Sequence, residues 1–222
     1  MISRYALYDI AAISKRFNII QGLPKGVKPN YNISPTITAP VILSENGALV
    51  VKQMKWGLLS KGAKDTNSVF RYKTYNVPSE TVLSKHSWDI AIRESRCIVP
   101  ANGFYDLGSN GKKKAYYAKA KDGRLLGFAG IYSSWQDPEG VTHGTYSVIT
   151  TGATDDMPLS TNRMPKIIMP EDEARWLDPT VTDISSIYDM LRSNPVDLVD
   201  AYEVGPAVHS PKASQASLID RI

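Results

Sequence analysis

Two groups in this 222-residue sequence stand out as nucleophiles. The candidates are the α-amine of Met1 and the thiol of Cys97, the single cysteine. An α-amine with an ordinary pKa of roughly 7.7–8.0 is partly unprotonated near neutrality and can attack an aldehyde. Cys97 has His86, His143 and His209 to draw on as bases, but Arg96-Cys97-Ile98-Val99-Pro100 reads as a buried strand, where a cysteine behaves as a small hydrophobe. No two of the histidines stand at metal-ligand spacing, and no phosphate-loop pattern occurs, so neither a metal nor a cofactor is expected. Arg4 and Arg163 carry permanently charged forks that can take a phosphate bidentately, or serve as surface ion pairs. Trp56 beside Gly57 reads either as an apolar platform for an unstacked base, with close backbone approach, or as a core aromatic.

The elements that must position these groups are mostly strands. Pro40 to Leu43 and Leu49 to Met54 are apolar and β-branched, and Glu45-Asn46-Gly47 between them favours the positive φ of a tight hairpin. Ala115 to Ala120 and Leu125 to Ile131 flank Asp122-Gly123, which predicts a second hairpin. Arg96 to Val99 and Tyr146 to Thr151 read as further buried strands. Lys112-Lys113-Lys114 after Asn110-Gly111 reads as a solvated cluster at a hairpin tip.

Helical spacing is present in four places. Ile10, Ile13 and Phe17 follow an Asp9 cap, and Trp88, Ala91 and Ile92 share one side of residues 84–94. Pro170-Glu171-Asp172-Glu173 opens a helix through Trp176 and Leu177 with acidic residues in its first turn. Asp183 to Leu191 is a further amphipathic run. Hairpins with peripheral helices predict an α+β fold: one domain over residues 1–222, with a bent or barrel-like, mainly antiparallel sheet.

Composition narrows the class without naming a function. Hydrophobic content of 42% and charged content of 22% are ordinary for a globular domain. No apolar run approaches the ~20 residues of a membrane helix, and no continuous apolar stretch near the N-terminus suggests a signal peptide. A single cysteine cannot form an internal disulfide and suits a cytoplasmic location. The net charge of +4, from 26 basic and 22 acidic residues, suits a polyanionic partner but also many other proteins. A monomer is expected.

Five runs in order carry a resemblance. They are Met1-Ile2-Ser3-Arg4; Trp56-Gly57-Leu58; Tyr75-Asn76-Val77-Pro78-Ser79-Glu80; Val99-Pro100-Ala101-Asn102-Gly103-Phe104-Tyr105-Asp106; and Thr161-Asn162-Arg163-Met164-Pro165. Together they resemble the SOS-response-associated peptidase (SRAP) family, whose members read Met-Cys-Gly-Arg, Trp-Gly-Leu, Asn-Ala-Arg-x-Glu, Val-Pro-Ala-x-Gly-Phe-Tyr-Glu-Trp and His-Asp-Arg-Met-Pro. Tyr31-Asn32-Ile33-Ser34-Pro35 resembles a further cleft-lining run of the family, and residues 204–211 its closing segment. The resemblance implies an SRAP-like fold and a partner in single-stranded DNA at abasic sites, within the DNA-damage response.

It also implies a site. In the family an amine and a thiol on one cysteine convert the aldehyde of an open abasic site into a thiazolidine. Ile2 stands at that cysteine, so the thiol is missing and only the Met1 amine is left as an expected nucleophile. Asn76 matches the asparagine that holds the nucleophile, Asp106 replaces the family's glutamate, and Thr161 replaces its histidine. Pro78 stands where the family places a phosphate-binding arginine. Arg4, Asn32, Pro35, Trp56, Gly57 and Arg163 are the DNA-binding positions the resemblance retains. The expectation is a DNA-binding protein impaired in crosslinking and self-peptidase chemistry. Two alternatives stay open: a repurposed cleft for a nucleotide, peptide or protein, and new catalysis by Asp106, Thr161 and Asn76.

Overall fold

The computed structural model describes residues 2–59, 63, 67–84, 86–108, 114–137, 139–158 and 161–222. The chain opens with strand β1 (Arg4–Leu7), helix α1 (Ile10–Arg16), β2 (Asn30–Ile33), β3 (Thr38–Glu45) and β4 (Ala48–Trp56). Next come the short helix α2 (Ser68–Tyr72), β5 (Asn76–Pro78), α3 (His86–Glu94), β6 (Arg96–Ala101), β7 (Gly103–Asp106) and β8 (Ala115–Ala120). The long strands β9 (Leu126–Gln136) and β10 (Thr142–Gly152) precede β11 (Arg163–Pro165), α4 (Pro170–Leu177), α5 (Ile184–Met190) and β12 (Val199–Val204).

Strands β10, β4, β3, β6 and β9 pair in that order, and β9 pairs back with β10, so this sheet closes into a five-stranded barrel. All its pairings are antiparallel except β10 with β4. The far half of β10 also carries β5 in parallel and β11 in antiparallel register. A second sheet runs β12-β8-β7-β1-β2, with every pair antiparallel. One core joins the two: Tyr5, Leu7, Phe104 and Ala118 of the second sheet pack with Ile42, Trp56, Phe128 and Ile131 of the barrel. This is the expected α+β architecture.

Local chemistry explains the regular parts. Asn46 and Gly47 both have positive φ, as a two-residue hairpin between β3 and β4 needs. The Asp9 carboxylate accepts from Ala12 N, and Asp183 accepts from Ser186 N, so α1 and α5 have side-chain caps. The helix expected over 84–94 spans His86–Glu94 and buries Trp88, Ala91 and Ile92. Arg96 binds two helix ends together: it donates to the carbonyls of Ile92 and Arg93 at the end of α3, and to those of Trp176 and Asp178 at the end of α4.

One expected hairpin is not formed. Strands occur on both sides of Asp122-Gly123 and Gly123 has positive φ, but β8 and β9 do not pair. The edges of β8 are taken by β7 and β12, and those of β9 by β6 and β10. The turn instead hands the chain from the second sheet to the barrel. Lys112 and Lys113 lie outside the described residues, while Lys114 pairs with Glu203 at 2.7 Å.

Candidate functional site

Six of the sequence-identified positions lie on a ring of contacts where the two sheets meet. Its starting point is β1, fixed against the barrel by Tyr5. That side chain is fully buried, its hydroxyl lies 2.6 Å from the hydroxyl of Tyr146 on β10, and its ring meets Trp56 edge-on at 5.2 Å. Anchoring Tyr5 brings the residues before it over β5. There the Asn76 amide donates to the carbonyl of Ile2 at 2.5 Å. Asn76 is itself held by its parallel pairing with Val148, two residues before the Thr150–Pro78 pair.

From Thr150 the ring continues to β11. Arg163 pairs in register with Gly152, and its Nη2 donates to the Thr150 carbonyl at 2.6 Å. Just before β11, the backbone N–H of Thr161 donates to Asp106 Oδ2 at 3.0 Å. Asp106 ends β7, and its other oxygen accepts from Gly108 N at 3.2 Å. Its neighbour Tyr105 pairs with Arg4 on β1, which closes the ring at Ser3 and Ile2.

The groups on this ring are mostly engaged. Ile2 is only 3% exposed and belongs to the core. Asp106 is buried and clamps two backbone N–H groups, the role its shorter side chain permits. Thr161 Oγ1 donates to the Arg163 carbonyl at 3.4 Å. Arg4 is half-buried, donates through Nη1 to the Ser3 carbonyl at 2.8 Å, and has its pKa lowered by burial. Among the described residues, Arg4 Nε and Asn76 Oδ1 are buried without a hydrogen-bond partner. A donor and an acceptor are therefore left unsatisfied at this junction. Met1 lies outside the described residues.

Arg163, read from sequence either as a phosphate fork or as a surface ion pair, has a carboxylate in its fork. Nη1 and Nη2 donate to the two oxygens of Glu80 at 2.8 and 3.0 Å. This pairing holds the Glu80 carboxyl below its ordinary pKa. Glu80 was visible in the sequence as the end of a motif, but nothing local marked it as the partner of a residue 83 positions away.

Four expected DNA contacts have other roles in the fold. Trp56 is fully buried, its indole N–H donates to the Tyr75 carbonyl at 2.7 Å, and it packs among Tyr5, Tyr75 and Tyr146. It is a core aromatic, because a ring with no exposed face cannot stack on a base. Asn32 is buried and donates to the carbonyls of Val208, Ser210 and Ala213, which ties the closing segment to β2. Pro35 is buried at the turn leading into β3. Gly57 adopts φ +129°, and a Cβ there would lie 2.3 Å from Val69 Cγ1. Its smallness seats α2 against the barrel. Cys97 is buried in β6, and burial pushes its thiol well above the ordinary range, which removes it as a nucleophile.

The sequence reading overlooked α2 and the residue after it. Phe70 and Tyr72 are 55% and 61% exposed, and Arg71 and Lys73 between and beyond them are exposed too. Phe70 leans on Tyr75 with ring centroids 6.5 Å apart, immediately before Asn76. The signal was present as alternating aromatic and basic residues in Phe70-Arg71-Tyr72-Lys73. Among the described residues, no cluster of His, Cys, Asp and Glu could hold a metal, and no helix is long and apolar enough to cross a membrane.

Comparison with known proteins agrees with this geometry. The family model described as SOS response associated peptidase (SRAP) matches residues 1–211. The chain is 34% identical to the abasic site processing protein YoqW of Bacillus subtilis, over 99% of both chains. It is 33% identical to the abasic site processing protein HMCES of Gallus gallus, over 68% of this chain and 54% of that one. A solved structure of a protein from Bacteroides thetaiotaomicron superposes with a TM-score of 0.85 at 25% identity, covering 99% of each chain. By matched sequence and by fold, the chain belongs to the SOS response associated peptidase (SRAP) family.

Proposed function

We infer that this protein binds single-stranded DNA at abasic sites and does not form the stable thiazolidine crosslink. Support for the DNA partner comes from the abasic site processing relatives and from the exposed pair Phe70 and Tyr72, interleaved with Arg71 and Lys73 and leading into Asn76. Aromatic faces beside cations suit unpaired bases and the phosphates between them. The observation that carries the loss of crosslinking is Ile2: a buried aliphatic side chain fills the family's cysteine position while Asn76 still grips the backbone there.

The chemistry that stays open is the first half of the family reaction. The Met1 amine adds to the aldehyde carbon, a C–N bond forms, and water leaves to give an imine. Without a thiol there is no ring closure, so the imine reverts or is trapped by borohydride hydride as a secondary amine. The test is incubation with abasic single-stranded DNA with and without borohydride, next to binding titrations at several salt concentrations. The expected result is affinity that falls steeply with salt, with any adduct seen only after reduction. An adduct that survives denaturation without reductant overturns the assignment of Ile2.

A second reading rests on the two altered phosphate positions. Pro78 replaces an arginine of the family pattern, and Arg163 is paired with Glu80. A site without these two phosphate contacts suits a nucleotide, a peptide or a protein partner as an alternative occupant. Weak DNA binding with a flat salt response would select this reading.

A further inference from the structure

The Arg163–Glu80 pair has a consequence for affinity, which rests on the single-stranded DNA reading above. A guanidinium offers five N–H donors. In Arg163 both terminal nitrogens face Glu80, and Nη2 also donates to Thr150 O at 2.6 Å. The N–H groups left over, on Nε and on the inner side of Nη1, lie on opposite edges of the planar group. No two adjacent donors are free to hold a phosphate bidentately.

We propose that the Glu80 carboxylate is an internal stand-in for a DNA phosphate on Arg163, so that the strand binds by exchanging its phosphate for that carboxylate. Both anions can occupy the fork bidentately. Glu80 sits on the short turn Ser79–Thr81 directly after β5, and its side chain is 53% exposed, so it can leave toward solvent. Arg163 does not leave with it. Its side chain is only 27% exposed, and the bonds to the Thr150 carbonyl and hydroxyl hold the guanidinium in place. Glu80 therefore sets the affinity of the site by competing for its cation.

Glu80→Gln and Glu80→Ala test this with an abasic single-stranded oligonucleotide titrated over a range of salt concentrations. Both should bind about two- to fivefold more tightly than the wild type, the range an exposed ion pair is worth. The slope of log affinity against log salt should stay close to that of the wild type, because the same phosphate reaches Arg163 in each case. Adding Arg163→Gln to either variant should abolish the gain. Weaker binding by Glu80→Ala than by the wild type would show that Glu80 only positions Arg163, and overturns the proposal. A gain that persists with Arg163→Gln would reduce it to a general charge effect, and also overturns it.

If no variant binds DNA at low salt, the DNA reading fails by itself, and inorganic phosphate then decides the role of Glu80. Phosphate should shift the Arg163 side-chain NMR signals more in Glu80→Gln than in the wild type. Equal shifts would sink the proposal.

Discussion

Asn76 donates its side-chain amide to the backbone carbonyl of Ile2, which couples the segment leading into β1 to β5 across the junction of the two sheets. The bond engages main chain alone, so it is indifferent to what side chain the second residue carries. A site built this way keeps its frame whichever side chain stands at position 2. The Asn76 oxygen is buried without a partner among the described residues.

Ile2→Cys should therefore recover an adduct with abasic single-stranded DNA that persists without reductant. A small second residue also favours removal of the initiator methionine, which mass spectrometry of the purified variant should detect as the loss of Met1. Replacing a buried isoleucine by the smaller side chain costs about 1–3 kcal/mol, which a denaturant titration will register. Failure to crosslink in a folded, processed variant would move the cause from Ile2 to Thr161 and Asp106.

Asp106 is expected to act through structure. Its carboxylate accepts the N–H groups of Thr161 and Gly108, and Asp106→Ala strips both of a buried acceptor. The variant should lose about 1–3 kcal/mol by chemical denaturation. Hydrogen exchange should rise at Thr161 and Gly108 first. A variant as stable as the wild type would remove this role.

Gly57→Ala combines two penalties, an L-residue at φ +129° and a Cβ driven into Val69. Together these should cost about 2–4 kcal/mol. Val69→Ala in the same chain should return the packing part and leave the backbone part. Full rescue by Val69→Ala would show that the backbone carries no strain at this position.

Lys166 gives a pH-dependent prediction. It is 5% exposed, and burial lowers its pKa to about 8, against a smaller opposing effect of Asp172. An unfolded lysine keeps its proton to about pH 10.4. Between about pH 8 and that value the unfolded state binds the extra proton, so this group makes stability rise with pH across the window. Below pH 8 both states are protonated and the folded state bears the whole cost of burying the ammonium. Lys166→Met should stabilise the protein at pH 7 by on the order of 2 kcal/mol and converge with the wild type near pH 10. Buried tyrosines such as Tyr105 and Tyr117, whose pKa values burial raises, make stability fall at still higher pH in both proteins, so the difference between the two curves is the measurement. Parallel curves would remove Lys166 as the cause.

Much of the fold was legible because it follows from local chemistry. Asn46-Gly47 supplies the backbone angles of the β3–β4 turn, Asp9 supplies the cap of α1, and Trp88, Ala91 and Ile92 mark the buried side of α3. The motif order likewise selected Ile2, Arg4, Asn76, Asp106, Thr161 and Arg163, which the fold gathers at one junction.

Other questions were settled by partners distant in sequence. Asp122-Gly123 makes its turn, yet the strands beside it pair elsewhere because both edges of each are already occupied. Trp56 is open in sequence between a base platform and a core aromatic and fills the core, while Asn32, matched to a cleft-lining run, holds the closing segment through three carbonyls. Arg163 carried a charge legible in the sequence, while the carboxylate opposite it arrives from a different strand connection. Residue type and spacing determine which backbone angles and which charges a chain can offer. Which edge, cavity or counter-charge each one meets is a long-range competition, and only the closed barrel with its second sheet decides it.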